Sequence, residues 1–351
     1  MGMTISELYP NIKPKEDGLV YLEVINTPEF RLTGLLWKDK NKNYHRMDDE
    51  FMDEYNKGIK RRTVHTAGVQ ATLRTNTQKI GIHMILDDPE YMNHMTDNAV
   101  GGADIYLGNG TEKRYWHVIW NDRNGDFTQV EYCDGNMNDF TVNFPLYSGV
   151  KSFEIGLCPN AEIESPTPFA VEKPVIFYGS SITQGGCASH PGNNYINILS
   201  RLLNINTVDI GFSGSCLGEQ MIAKLIAQHD AAAFVIDYDY NAAGADHLKE
   251  THEAFFKTYR ADHPYTPVII MTKPDYDDNP ADGEARKTVI YKTYENAINS
   301  GDKNVYFIDG SKIFGDHLRD CCTVDRNHPT DLGFTRMADA VYPILKQCLS
   351  L

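Results

Sequence analysis

The pattern of apolar residues changes at about residue 165. Before it, short alternating or β-branched runs are separated by polar turns, which predicts the strands of an antiparallel sandwich. After it, short apolar runs alternate with longer stretches of helical spacing, which predicts a parallel sheet with helices on both faces. The predicted early strands are 21–24, 69–75, 79–86 and 114–120; the later strands are 175–178, 207–211, 233–237, 267–271 and 304–308; the later helices are 194–203, 217–228, 246–259, 283–299 and 332–349.

The length of the chain also indicates two domains. At 351 residues it exceeds the size at which a single hydrophobic core usually stops growing. A proline-rich stretch, Pro166-Thr167-Pro168, lies where the periodicity changes. We therefore predict an N-terminal β-sandwich domain, jelly-roll-like, over residues 1–168 and an α/β domain over residues 169–351.

Charge and composition narrow the possible partners. The chain has 33 basic and 48 acidic residues and a formal net charge of −15, which argues against a nucleic acid or an anionic membrane as partner. The N-terminal residues show no apolar signal segment, and the odd number of cysteines, seven, has no metal-binding spacing. These features predict a cytoplasmic protein with reduced thiols and without a structural metal.

Candidate chemistry lies at the first strand of the second part. The apolar run Pro174–Tyr178 leads directly into Gly179-Ser180-Ser181, a corner that can lift a hydroxyl out of the carboxyl edge of a sheet, where α/β proteins bind ligands. Near the end of the chain, Asp325 and His328 stand three residues apart. A serine nucleophile needs a base, and the base needs an orienting acid. The sequence therefore predicts Ser181 as nucleophile, His328 as base and Asp325 as the orienting acid.

Four segments of the second part resemble the blocks of the SGNH (GDSL-type) hydrolases. Gly179-Ser180-Ser181-Ile182-Thr183 resembles their first block, with Ser180 where most members have Asp. Gly211-Phe212-Ser213-Gly214 is similar to the second block, and Asp325-Arg326-Asn327-His328 to the closing DxxH. Asp237-Tyr238-Asp239-Tyr240-Asn241 follows the third strand, where the family has its oxyanion-binding Asn. The resemblance covers residues 174–351.

The N-terminal half carries a second resemblance. Gly102-Ala103-Asp104-Ile105-Tyr106 is similar to the GxDLY motif of the β-domain that precedes some SGNH esterases, with Ile in place of Leu. Together the resemblances imply a flavodoxin-like three-layer domain with strand order 2-1-3-4-5. They also imply an oxyanion hole formed by the backbone N–H groups of Ser181 and Gly214 and the amide of Asn241. No cofactor is expected, because water completes the reaction.

The resemblance implies a serine esterase acting on short acyl groups, often acetyl groups on carbohydrates. The expected partner is a small-molecule or oligosaccharide ester, and the oligomeric state is left open. Two other functions remain open: a carbohydrate-binding protein with an inactive SGNH domain, and a thioesterase or lysophospholipase on the same scaffold. Single residues also have simpler interpretations, since Ser181 could cap a helix, His328 could belong to an ordinary helix entry and Asn241 could form a turn.

Overall fold

The computed structural model describes residues 2–87 and 89–351. The chain forms two compact units. The first comprises the residues up to Met52 together with Thr63–Phe169 and Ser189–Gly192, and the second comprises Asp53–Arg62, Ala170–Ala188 and Asn193–Leu351. Along the sequence, the boundary between the two units falls between Phe169 and Ala170. Two short segments are exceptions: Asp53–Arg62 belongs to the second unit and Ser189–Gly192 to the first.

Short strands dominate the chain before residue 170. The strands are β1 (Met3–Thr4), β2 (Val20–Glu23), β3 (Arg31–Thr33), β4 (Gln70–Thr75), β5 (Lys79–Asp87), β6 (Ala103–Leu107), β7 (Arg114–Ile119), β8 (Asp126–Tyr132), β9 (Asn138–Asn143), β10 (Gly149–Leu157) and β11 (Glu162–Glu164). The helices are short as well: α1 (Ile5–Leu8), α2 (Lys38–Asn41), α3 (Lys57–Arg62), which lies in the second unit, and α4 (Asp97–Gly101).

The strands of the first unit form two antiparallel sheets. One has the order β1-β11-β4-β9-β6-β7, with β3 also paired to β4, and the other has the order β2-β10-β5-β8. The inward side chains of both sheets form one apolar core, in which the rings of Phe144 and Phe153 stack at 3.9 Å. The predicted antiparallel sandwich is confirmed.

The second unit is built on a parallel sheet. Its strands are β12 (Val171–Gly179), β13 (Ile205–Gly211), β14 (Ala233–Asp237), β15 (Val268–Met271) and β16 (Val305–Ile308), in the order β13-β12-β14-β15-β16. In the numbering of this unit the order is 2-1-3-4-5, so the expected topology is confirmed. Its remaining helices are α5 (Ser181–Gln184), α6 (Tyr195–Leu203), α7 (Gln220–Ile226), α8 (Ala245–Asp262), α9 (Pro280–Asn299) and α10 (Asp331–Leu349).

Most predicted elements of this unit end within a few residues of the observed ones. The helix predicted over 217–228 is shorter, because the chain before Gln220 forms a loop in which Gly218 has a φ of +79°. Among the described residues, no helix combines the length and apolar character that crossing a bilayer requires. All seven cysteines are free of disulfide bonds.

The aspartate of the GxDLY-like motif is fully buried on β6 in the first unit. Its Oδ1 accepts a hydrogen bond from the side chain of Asn143 on β9 at 2.6 Å. Its Oδ2 accepts from the backbone N–H of Gly192 at 2.6 Å and contacts Nδ1 of His190. Asp104 therefore holds the short segment Ser189–Gly192 in the first unit.

A tyrosine lies across two glycines in the second sheet of the sandwich. Gly81 of β5 and Gly156 of β10 stand directly opposite each other, and Gly156 also faces Tyr21 of β2. A Cβ at Gly81 would lie 2.3 Å from the Tyr21 hydroxyl, and a Cβ at Gly156 would lie 2.7 Å from Cζ of the same ring. The absence of both side chains therefore makes room for the ring, whose hydroxyl donates to Asp17 at 2.7 Å.

We expect Gly156→Ala to destabilise the protein by about 1–3 kcal/mol, because the new methyl group overlaps the Tyr21 ring. In an ordinary strand the same change would be neutral or stabilising, since glycine weakens strands. Urea unfolding of the wild type and the variant measures the effect. In a Tyr21→Ala background the added cost of Gly156→Ala should vanish, and an undiminished cost there would contradict the explanation.

Candidate active site

The nucleophile candidate stands at the carboxyl end of the central strand β12. A Cβ at Gly179, the last residue of the strand, would lie 1.9 Å from Oγ1 of Thr183, so only glycine fits there. Ser180 is the N-cap of α5, with its hydroxyl accepting from the N–H of Ile182 at 3.1 Å. Ser181 is therefore the first residue of the helix and not its cap, and it is only 7% exposed.

The three residues predicted to form the triad lie in hydrogen-bond contact. Oγ of Ser181 is 2.9 Å from Nε2 of His328, and Nδ1 of His328 is 2.8 Å from Oδ2 of Asp325. An ionised carboxylate can only accept, so Nδ1 of a neutral imidazole carries the hydrogen and Nε2 has its lone pair directed at the serine hydroxyl. This is the arrangement in which the imidazole can remove the serine proton.

Asp325 and His328 are held together by hydrogen bonds within their own loop. Oδ1 of Asp325 accepts from the backbone N–H of His328 at 2.7 Å and from that of Asn327 at 3.1 Å. The backbone N–H of Val324 donates to the carbonyl of His328 at 2.9 Å, which closes the loop. Thr330, two residues after His328, is the N-cap of α10, so Asp325 and His328 lie directly before this helix.

Hydrogen bonds keep the Asp325 carboxyl ionised. Burial alone would raise the pKa of the Asp325 carboxyl, but the hydrogen bonds from the backbone and ring of His328 hold this pKa below its usual value. Two cysteines lie near the same blocks in sequence. Burial and the nearby Asp325 raise the pKa of the Cys187 thiol to about 12, and Cys216 is fully buried. The Cys187 thiol is thus protonated at neutral pH, which makes it a poor nucleophile.

The structure brings the two other oxyanion candidates together. Gly214 has a φ of +63°, and among the described residues other than Ser213–Ser215 no atom lies within 4 Å of the position that a Cβ would take. Its backbone N–H donates to Oδ1 of Asn241 at 3.0 Å, while Nδ2 of Asn241 donates to the carbonyl of Phe212 at 3.0 Å. The Asn241 side chain thus forms hydrogen bonds with Phe212 and Gly214, so its role is not limited to forming a turn. The N–H of Gly214 would reach an oxyanion only by sharing or exchanging this hydrogen bond.

A buried arginine holds the turn that presents Asn241. Nη1 of Arg286, on α9, donates to the carbonyls of Asp239 at 2.8 Å and of Ala242 at 3.0 Å, one on either side of Asn241. Arg286 also forms an ion pair with the buried Asp239 carboxylate at 3.3 Å. Sequence reasoning missed Arg286, because an arginine inside a long amphipathic helix is expected at the surface.

Sequence reasoning also gave no role to Asp237, the last residue of β14. Its Oδ2 accepts from the hydroxyl of Thr183 on α5 at 3.0 Å and from that of Tyr195 on α6 at 2.9 Å. Burial raises the pKa of Asp237 to about 7, and the carboxylates of Asp239 and Asp209 act in the same direction. Asp237 thus connects the third strand to the helix that carries Ser181.

Comparisons with known proteins show the family of the chain. Residues 172–346 match the model of the GDSL-like lipase/acylhydrolase family, and residues 19–163 match that of the GxDLY region, the N-terminus of SGNH-hydrolase-type esterases. The chain belongs to the GDSL-type (SGNH) acylhydrolase family and carries a GxDLY-type N-terminal region. No curated protein sequence matches the chain.

Solved structures share the whole architecture. A Bacteroides ovatus protein described as a GDSL-like lipase is 27% identical, with a TM-score of 0.85 over 95% of this chain and 98% of that one. The salicylyl-acyltransferase SsfX3 of a tetracycline biosynthetic pathway is 18% identical, with a TM-score of 0.75 over 93% and 96%. An acetyl xylan esterase of the rumen bacterium Butyrivibrio proteoclasticus is 11% identical, with a TM-score of 0.58 over 94% and 99%. The last two likenesses are to the fold.

We expect Asp237→Asn to gain stability over the wild type as the pH rises. The folded pKa of about 7 lies above the ordinary 3.8, so the folded wild type binds more protons than the unfolded chain between these values and loses stability as the pH increases. The difference between variant and wild type should grow by up to ~1.4 kcal/mol per pH unit and level off above pH ~7.

Urea unfolding at pH 5, 6, 7 and 8 measures this difference. An asparagine oxygen in the place of Oδ2 can still accept from Thr183 and Tyr195, so the variant tests the charge and not the hydrogen bonds. Asp230→Asn, at an exposed carboxyl paired with Lys173, is the matched surface control. A difference that stays constant between pH 5 and pH 7 would show that Asp237 does not titrate there.

Proposed function

We propose that this chain is a serine esterase that hydrolyses short-chain esters, acetyl esters of carbohydrates above all. The observation that carries the proposal is the continuous hydrogen-bonded row from Ser181 through His328 to Asp325, with distances of 2.9 and 2.8 Å. A serine with a purely structural role does not require an imidazole beside it whose Nδ1 is hydrogen-bonded to a carboxylate. Membership of an acylhydrolase family supports the same reaction class.

Acylation begins when Nε2 of His328 takes the proton of the Ser181 hydroxyl and Oγ attacks the ester carbonyl. The carbonyl oxygen becomes an oxyanion, and Asp325 stabilises the imidazolium that forms. The bond to the alcohol then breaks, and Nε2 gives its proton to the departing alkoxide. The products of this half-reaction are a free alcohol and an acyl group on Ser181.

Deacylation repeats these steps with water in place of the serine. His328 takes a proton from water, the hydroxide attacks the acyl carbonyl, and the proton returns to Oγ of Ser181 as the acid leaves. In both halves the oxyanion needs hydrogen-bond donors, and the N–H of Gly214 becomes one by sharing or exchanging its bond to Oδ1 of Asn241. We assign this role to the N–H groups of Ser181 and Gly214 and to the amide of Asn241, which lies beside Gly214.

Support for the substrate class comes from the relatives. One structural relative is an acetyl xylan esterase, and others are family two carbohydrate esterases, one of them in complex with cellohexaose. The small acetyl group on a large, polar alcohol is therefore the substrate we infer. The two alternatives, a carbohydrate-binding protein with an inactive site and a thioesterase or lysophospholipase, predict different results in the experiments below.

Ser181→Ala should lower kcat/KM for 4-nitrophenyl acetate by at least about 10³-fold, because the attacking oxygen is removed. Asp325→Asn should lower it by roughly 10³–10⁴-fold, since an amide at this position leaves the imidazole in the wrong tautomer. Initial-rate kinetics on purified protein, together with labelling by a fluorophosphonate probe, measures both effects.

The neighbouring Ser180→Ala is the matched control. It removes a helix cap, so it should cost about 1 kcal/mol of stability while hydrolysis remains readily measurable. Equal turnover by wild type and Ser181→Ala, with no labelling of Ser181, would overturn the esterase proposal. Glycan affinity under those conditions would then favour the carbohydrate-binding alternative.

Acetylated xylo-oligosaccharides should be hydrolysed with a higher kcat/KM than 4-nitrophenyl acetate, although the aryl ester has the better leaving group. Binding of the sugar supplies the advantage, because contacts to remote parts of a substrate can be used in the transition state. Among 4-nitrophenyl esters, rates should fall from acetate to butyrate and octanoate. A rise along this series would favour the lysophospholipase alternative, as each methylene in a matching pocket is worth about 1–3 kcal/mol.

A further inference from the structure

A segment from the early part of the sequence belongs to the same unit as the candidate active site. Residues 53–62, including α3, are grouped with the second unit, although β12 begins more than a hundred residues later. They contact the loop Ser213–Glu219, which follows β13 and contains Gly214. We refer to this stretch as the oxyanion loop, because it carries one of the proposed oxyanion donors.

Asn56 joins the segment to the oxyanion loop with two donated hydrogen bonds. Its Nδ2 donates to the carbonyl of Ser215 at 2.9 Å and to Oε1 of Glu219 at 2.7 Å. Its Oδ1 faces the other way and accepts from the N–H groups of Gly58 and Ile59, at 2.9 and 3.0 Å. One side of this amide therefore holds the start of α3, and the other side holds the oxyanion loop.

Gly58 brings the backbone of the segment against the loop. A Cβ at this position would lie 1.9 Å from Oγ and 2.8 Å from Cβ of Ser215. Rotation of the serine side chain would not relieve the overlap with its Cβ. It would also break the hydrogen bond from the Ser215 hydroxyl to the carbonyl of Ser213 at 2.8 Å. The two residues on either side of Gly214 are thus joined to each other, and one of them is packed against Gly58.

The opposite side of the oxyanion loop rests on the central strand. The hydroxyl of Tyr178 on β12 donates to Oε2 of Glu219 at 2.8 Å and accepts from the N–H of Gly218 at 2.9 Å. Glu219 therefore receives Tyr178 on one oxygen and Asn56 on the other. Gly214 itself has open space at its Cα and a left-handed backbone, so the position of its N–H depends on its neighbours in the loop and on its hydrogen bond to Asn241.

We propose that Asn56 and Gly58 are positioning residues for the oxyanion hole. By fixing Ser215 and Glu219 they hold the N–H of Gly214 where it can stabilise the tetrahedral intermediate. This inference rests on the proposed esterase function. It assigns a catalytic consequence to a segment that none of the four SGNH-like blocks includes.

Asn56→Asp tests the proposal most directly. Aspartate caps a helix as well as asparagine does, so α3 keeps its start. It cannot donate, however, so the bond to Ser215 is lost and a carboxylate is placed against Glu219. We expect kcat for 4-nitrophenyl acetate to fall about 10–100-fold with KM within about 2-fold, somewhat less than the 10²–10³-fold typical of deleting an oxyanion donor outright.

Two further variants separate positioning from general damage. In Asn56→Asp with Glu219→Gln, the glutamine can donate to the new carboxylate and still accept from Tyr178, so about 3-fold or more of the lost kcat should return. Gly58→Ala, which improves helix propensity in α3, should nevertheless lower kcat because it displaces Ser215. Lys60→Ala is the control on the same helix, since within residues 2–87 and 89–351 the side chain of Lys60 pairs with the exposed Asp53 alone.

All rates are normalised to the fraction of protein that the fluorophosphonate probe labels at completion, which removes any loss of folded protein from the comparison. An active wild type with unchanged kcat in both Asn56→Asp and Gly58→Ala would overturn the inference and leave the esterase function standing. A loss in Asn56→Asp that Glu219→Gln does not relieve at all, with Gly58→Ala fully active, would also overturn it. Equal turnover by wild type and Ser181→Ala would instead overturn the esterase function and, with it, this inference.

Discussion

The site depends on the close approach of three chain segments at the carboxyl end of β12. Gly179 stands in register with Gly211 on one side and Asp237 on the other. A Cβ at Gly179 would lie 2.5 Å from the carbonyl of Asp237, and one at Gly211 would lie 2.5 Å from the N–H of Gln184. Helix α5 can therefore start directly on the sheet edge, which places Ser181 two residues beyond the strand and above the neighbouring loops.

Side chains then connect each of these loops to the next, so that the positions of Ser181, Gly214 and Asn241 depend on neighbouring loops as well as on their own. Asp237 receives the Thr183 hydroxyl, and Oε1 of Gln184 accepts from the N–H of Ser213 at 2.9 Å. Oδ1 of Asn241 accepts from the N–H of Gly214. The bond from Thr183 to Asp237 is buried, whereas the bond from Ser213 to Gln184 is partly buried and the bond from Gly214 to Asn241 is exposed. The first is therefore the strongest, because little water competes for it. These contacts hold the loops of Gly214 and Asn241 against the helix of Ser181, while the N–H of Gly214 still has to share or exchange its bond to Asn241 before it can reach an oxyanion.

The sequence predicts the parts of this arrangement that repeat a local pattern. The strands of the second unit contain short, mostly apolar runs, and the helical stretches that alternate with them favour a parallel sheet with crossovers. Ser181, His328 and Asp325 could be named because their chemistry and order resemble a family. In the sandwich, four strands were predictable, whereas β1, β3 and β11, only two or three residues long, leave too little periodicity to be recognised.

Other features could not be predicted because they depend on distant contacts. Nothing in residues 53–62 indicates that they join the second unit, since the evidence is a close approach between Gly58 and Ser215. The hydrogen bond from Gly214 to the side-chain oxygen of Asn241 could not be predicted either, because a sequence shows that an amide is present and not how it is oriented. Local patterns thus predict elements, whereas the support of the site arises from pairs of residues far apart in the chain.

The two halves of the proposed triad have different physical origins. Asp325 and His328 are joined within a four-residue loop, so their contact needs little from the rest of the fold. The distance from His328 to Ser181 has no such local support. It depends on how α10, which follows the histidine, packs against α6.

Tyr195 lies at the centre of that packing. Its ring stacks with that of Phe334 on α10 at 6.5 Å, while its hydroxyl donates to Asp237, which also receives Thr183 from the helix of the nucleophile. At the N-terminal end of α6, the side chain of Asn193 donates to Asp331, the first residue of α10, at 3.1 Å. One buried tyrosine therefore contacts both α10, which follows His328, and the Asp237 carboxylate, which accepts from the helix of Ser181. The contact between Ser181 and His328 joins residues 147 positions apart and needs such long-range packing, whereas the contact between His328 and Asp325 lies within one local loop.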